Sequence, residues 1–317
     1  MALVIIEALV PIFFILFLGY FAGKIKLVDN TNVALLNIFV MDFALPAAMF
    51  SATVQVPREV IISEIPLLLV LTLSMWVIYA IIYYVVHSIY KRSMQESAVI
   101  ALTVALPNYA ALGLPVLERV LGQSPGTALN VAIAIACGSV LMTPIALMLL
   151  EAGKPENEGK SVLGNLPQLI LKSFKKPLVY CPIVGIILAL IGIKLPQIVF
   201  VALKPLAISA AGAALFLTGV ILSARKLKLT SLIILNLILV NIVQGFVGLA
   251  FVYAFGMTGD SAKAAILLIA LAAGFFGIVF GNRYGVKSSD AEGTLLLSSL
   301  LSIITIPLFI YIANSLF

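Results

Sequence analysis

The sequence predicts an all-α integral membrane protein. It reads as ten transmembrane helices in two inverted five-helix repeats, with crossover helices four and nine broken at mid-depth. Three observations carry that prediction. The 317 residues are 63% hydrophobic and 10% charged, whereas a soluble domain is nearer half apolar and a quarter charged. The apolar residues fall into ten stretches, each close to the roughly 20 residues that a membrane helix needs. Most of the 19 lysines and arginines gather at alternate ends of those stretches, as the positive-inside rule requires.

The expected spans are 4–23, 31–54, 65–88, 96–121, 127–150, 177–193, 197–222, 231–256, 262–286 and 291–315. No basic region precedes the first, and Lys24 and Lys26 stand where a cleavage site would follow, so it reads as a retained helix. The longest polar interval, Glu151 to Lys176, separates the first repeat (1–150) from the second (177–317) and reads as a cytoplasmic linker over 151–176. Lys24, Lys26, Lys91, Arg92, the lysines of the linker, Arg225, Lys226, Lys228, Arg283 and Lys287 share one side. Arg58, Arg119, Lys194, Lys204 and Lys263 share the other. The richer side is assigned to the cytoplasm, which makes both termini of a multi-pass inner or plasma membrane protein extracytoplasmic. The net charge of +6 is then a matter of loops and calls for no nucleic acid.

An odd number of spans per repeat inverts the second repeat. The run from Ser97 to Pro144 resembles the run from Ser261 to Pro307, which sets Gly113 against Gly277 and the Pro107–Asn108 break against the residues before Gly274. In Leu106-Pro107-Asn108-Tyr109-Ala110-Ala111-Leu112-Gly113-Leu114-Pro115, proline removes a backbone donor and crowds the preceding turn. Lipid cannot satisfy the freed groups, so such a break belongs where protein or a wet cavity surrounds it. Paired breaks in inverted repeats are where secondary transporters bind their cargo. The helix breakers are Pro107, Pro115 and Gly274. The ninth span has only glycines, in Ala272-Ala273-Gly274-Phe275-Phe276-Gly277. Glycine weakens a helix by about 1 kcal/mol against about 3 for proline, so this span is expected to be loosened and not cleanly broken.

Asn108 is the polar residue at the break, able to donate and accept. The positive end of the half-helix after it adds an attraction for an anionic group such as a carboxylate. Tyr109, Gly113 and Pro115 on the same stretch, with Gly274 and Gly277 opposite, complete the expected substrate-binding set. Asp42 lies mid-span, where an ionised carboxylate is costly and functional by default. It is read as a group that couples protons or pairs with a cation. Five residues separate it from Asn37, so in an α-helix the two share a face only in part. Asn236, Asn241 and Gln244 are read as contacts that hold helices together. Cys137 and Cys181 both fall in apolar spans, which argues against a disulfide framework or a metal site. No GxxxxGK[ST], HExxH or Ser/His/Asp set occurs, so neither an ATPase, another enzyme, a metal site nor a cofactor is expected.

Leu36-Asn37-Ile38-Phe39-Val40 leading to Ala44-Leu45-Pro46, then Pro107-Asn108-Tyr109 with Gly113-Leu114-Pro115, form one part of a wider pattern. Asn282-Arg283-Tyr284-Gly285-Val286, Leu297-Ser298-Ser299-Leu300-Leu301-Ser302 and Ile306-Pro307-Leu308 form the other. Together they resemble the auxin efflux carrier family in its short bacterial form, which includes carriers described as malonate or malate permeases. The resemblance implies a scaffold of helices 1, 2, 6 and 7 that forms a homodimer. It also implies a moving transport domain of helices 3–5 and 8–10, and an organic anion held by the asparagine of the crossover, here Asn108. The chain departs from the family where the ninth span usually carries a proline. Two other readings stay open: a sodium-coupled organic anion symporter of the bile-acid-transporter type, and a signalling or assembly protein that keeps a transporter fold without flux.

Overall fold

The computed structural model describes residues 2–122, 125–154, 175, 177–224 and 229–317, so most of the expected linker lies outside the described residues. Helix α1 (Ala2–Lys24) is apolar and closes on Lys24. A loop tied by Asp29, whose carboxylate accepts from the Thr31 N–H and hydroxyl, leads to α2 (Ala34–Ile38), a π-helical turn over Phe39–Ala44, and α3 (Leu45–Val54). A short α4 (Arg58–Ser63) and α5 (Ile65–Tyr84) follow, the latter continuing as a π turn over Val85–Ile89. Helix α6 (Met94–Ala105) starts at Ser93, whose side chain accepts from the Glu96 N–H. After a break, a π turn over Tyr109–Gly113 runs into α7 (Leu114–Leu121).

Next come α8 (Pro125–Ala136), a π turn over Cys137–Met142 and α9 (Thr143–Ala152). Beyond the linker are α10 (Pro177–Leu190) and α11 (Gln197–Ser223). Helix α12 (Ser231–Ile238) passes through a π turn over Leu239–Val243 into α13 (Gln244–Ala254). Helices α14 (Gly259–Ile269) and α15 (Phe276–Arg283) are separated by six non-helical positions, and α16 (Ser289–Leu316) ends the chain.

Three of the π turns stand just before a proline in the first turn of the next helix: Pro46, Pro115 and Pro144. Proline has no N–H to give the carbonyl four residues back and its ring presses on that carbonyl. A locally widened turn relieves the contact. At the third, the Thr143 hydroxyl donates to the Gly138 carbonyl at 2.9 Å, beside the bond that this carbonyl accepts from the Thr143 N–H.

Six helical stretches are long and apolar enough to cross a membrane: Ala34–Ser51, Ile65–Ile89, Ile133–Ala152, Gln197–Ser223, Ser231–Ala254 and Ser289–Leu316. Shorter apolar helices accompany them, and no sheet occurs among the described residues. The chain is therefore an all-helical, multi-pass membrane protein. Its helices pack in two sets. In one, α1 lies along α11 while α3 packs against α10 and α11. In the other, α6 is surrounded by α5, α9, α15 and α16, and α13 packs on α5 and α14. Helices α2 and α11 meet α15 where the sets adjoin.

The candidate site at the crossing of two broken helices

The chain between α6 and the π turn over Tyr109–Gly113 meets the chain between α14 and α15, and Pro107 pairs with Ala273 in an isolated antiparallel bridge. The ninth span, for which its glycines alone argued no more than a loosening, is broken as completely as the fourth. The reason is tertiary. Pro107 has no N–H for the Thr103 carbonyl, and the Gly274 N–H fills that place from across the crossing at 3.0 Å. The Asn108 N–H returns the favour to the Ala272 carbonyl at 2.9 Å. The Ala105 carbonyl, also released by the break, accepts from Gln244 Nε2 at 3.2 Å. The Ala273 N–H donates to Ser298 Oγ at 3.0 Å, and the Ser298 carbonyl accepts from Asn241 Nδ2 at 3.1 Å. One proline thus suffices for two breaks, because each break supplies partners that the other lacks.

Close approach of the two segments requires the glycines. A Cβ on Gly274 would run into the Leu106 carbonyl oxygen, and one on Gly277 into the Val99 carbonyl and the Thr103 hydroxyl of α6. Gly113 is less constrained: its Cβ would stand 3.0 Å from Val131 Cγ1 and 3.6 Å from Leu268 Cδ2. Pro115 sits in the first turn of α7, so it opens the second half-helix and does not interrupt it.

Asn108 is 1% exposed, and neither its amide nitrogen nor its amide oxygen has a partner. The Tyr109 hydroxyl is likewise buried without one. Asn241 Oδ1 and Gln244 Oε1 are left over after their nitrogens have engaged the crossing. Buried polar groups are nearly always bonded, and each exception calls for an explanation. Beside the crossing, a cavity of about 10 Å³ is lined by Met49, Leu106, Tyr109, Ile135, Thr143 and Phe276 among others. That is room for about one water.

Asp42 stands in the π turn of the second span. Its Oδ2 lies 2.7 Å from Arg283 Nη1, at the last residue of α15. Asn37 Nδ2 donates to the Val279 carbonyl of the same half-helix at 3.3 Å. The two residues therefore face one neighbour, although an α-helical reading separates them. A π turn takes more residues per revolution and closes i to i+5 bonds, which brings positions five apart onto one side. The sequence sets Arg283 among the loop charges and in a run that carries the family resemblance, in neither case at the site. The signal that could have marked it was an acid at depth in need of a counter-charge.

A family model described as "Membrane transport protein" matches residues 4–310. The chain is 32% identical over 246 residues to the uncharacterized transporter YfdV of Escherichia coli (strain K12), covering 76% of this chain and 77% of that one. It is 24% identical over 220 residues to a protein of Rhizobium meliloti (strain 1021) provisionally named a malonate transporter, covering 69% and 67%. It is also 27% identical over 241 residues to the mouse lysosomal cholesterol signaling protein, covering 73% of this chain and 28% of that longer one.

Proposed function

Because the chain belongs to the membrane transport protein family, that of the auxin efflux carriers, and is a transporter and not an enzyme, we propose that it carries small organic anions. The cargo class is carboxylates such as malonate, malate or auxin-like weak acids, and the carrier is secondary, working by alternating access. The observation that carries this reading is Asn108. An amide sealed in protein with both ends unpartnered, at the start of a half-helix whose N-terminal end faces the crossing, is poised for a ligand that can accept from it. Tyr109 supplies a hydroxyl beside it, while Gly274 and Gly277 let the two segments meet. The provisional name of the Rhizobium relative supports the carboxylate class.

In the proposed architecture each broken pair (α6 with α7, α14 with α15) counts as one span, giving ten in two inverted repeats with both termini extracytoplasmic. The set built on α1, α3, α10 and α11 is the scaffold through which two copies pair, and the crossing set moves against it. That the helices pack in two sets supports the division. Asp42 exchanges a proton during the cycle, when its contact with Arg283 opens.

Radiolabelled malonate uptake into proteoliposomes tests the reading. Asn108→Ala should abolish uptake while leaving the detergent-purified protein monodisperse, and unchanged uptake would remove the site. Asp42→Asn should flatten the dependence of uptake on an imposed proton gradient. A second reading, sensing without flux, draws on the mouse relative's name. It would be favoured if anions stabilised the purified protein but never crossed the bilayer.

A further inference from the structure

We propose that Arg283 is a carboxylate-binding residue on the route to the crossover, and that Asp42 occupies it between substrates. The inference rests on the organic-anion reading above. Arg283 ends α15, seven residues from Phe276, which is about 10 Å along the helix axis from the crossing. It is at the lysine-rich end, where an anion entering from the cytoplasm would arrive.

Its side chain and that of Asp42 are 28% and 24% exposed, although Nη1 itself is buried. A guanidinium is built to hold a carboxylate through two parallel N–H bonds. What it has here is poorer. Nη1 approaches Oδ2 at 2.7 Å, yet the contact lacks the alignment of a hydrogen bond, and Nη1 has no aligned acceptor among the described residues. Of the other acids near this end, Glu151 is engaged by Lys154 at 2.9 Å, and Lys154 lies over the ring of Tyr284, while Glu292 shares a small cavity with Asn282. Asp42 is then the carboxylate that the chain itself offers to Arg283, in a geometry that a free carboxylate can better.

Exchange of the two carboxylates has a mechanical result. Asp42 belongs to the second span, which packs on α11, whereas Arg283 belongs to the half-helix that packs on α6. A substrate that replaces Asp42 removes one of the two polar ties between those elements among the described residues and leaves the bond from Asn37 to Val279. A ligand shifts an equilibrium by its preference for one state. Here the preferred state is the one with the tie undone, so arrival of cargo favours movement of the crossing set.

The two partners are therefore predicted to act with opposite sign. With malonate as probe and thermal stabilisation of the purified protein as readout, Arg283→Gln should raise the half-saturating concentration by about tenfold or more. Asp42→Asn should lower it several-fold, the double variant should follow Arg283→Gln, and Arg283→Lys should fall between. Equal-direction shifts in the two single variants, or no shift in Arg283→Gln, would overturn the proposal and leave the pair a structural tie. Absence of any response to mono- and dicarboxylates in the wild-type protein would instead sink the organic-anion reading on which it rests.

Discussion

At Gly274, a single hydrogen atom decides whether two membrane segments can meet. Replacing Gly274 with alanine sets a methyl group against the Leu106 carbonyl oxygen, and overpacking of this kind costs about 1–3 kcal/mol. Thermal unfolding in detergent should show the loss, whereas Gly113→Ala, facing only side chains that can shift, should cost less. Ser298→Ala would strip the Ala273 N–H of its acceptor, at a cost of about 1–3 kcal/mol for an orphaned buried donor. Faster hydrogen exchange at Ala273 is the specific sign to look for. The sequence made Asn108, Gly274 and Gly277 legible because breakers and amides are conspicuous among apolar residues. It left Gln244 as an ordinary helix-to-helix contact, since nothing local says that its partner is a backbone carbonyl released by a proline more than a hundred residues earlier.

The elements were legible by hydropathy, and their winding was not. Apolar stretches of the right length marked where helices would run, and each of the described long helices overlaps one of them. The π turns escaped notice because a proline in a membrane helix reads equally well as a kink. Their effect is concrete at the second span. Five residues of ideal α-helix would leave Asn37 and Asp42 roughly 140° apart around the axis, yet both face α15. Pro46→Ala restores a donor to the Asp42 carbonyl and is expected to let Phe39–Ala44 wind as α-helix. The coupling between Asp42→Asn and Arg283→Gln in a double-mutant cycle of thermal unfolding should then fall sharply against the Pro46 background. The ninth span shows the complementary case. Propensity argued for a loosened helix, but hydrogen bonds from α6 and α16 outweigh an energy of about 1 kcal/mol per glycine and open it fully.

For the whole molecule, the lysine pattern and the two matching runs suggested how many times the chain crosses and how its halves relate, but not which helices travel together. That depends on shape complementarity between faces that are all apolar, so periodicity carries no record of it. Cross-links separate the proposed moving parts. Cysteines at Thr53 and Gly185, which touch within one set, should leave malonate uptake intact when oxidised. Cysteines at Asn37 and Val279, which touch across the two sets, should stop it until reductant is added. The bridge between Pro107 and Ala273 also bears on how the chain is made. Its two strands lie more than half the chain apart, so during synthesis the first break waits in the bilayer with bare carbonyls until the second emerges. Neither half can finish alone. Expressed separately, the first half should linger as a substrate for membrane proteases, and supplying the second half in trans should rescue it.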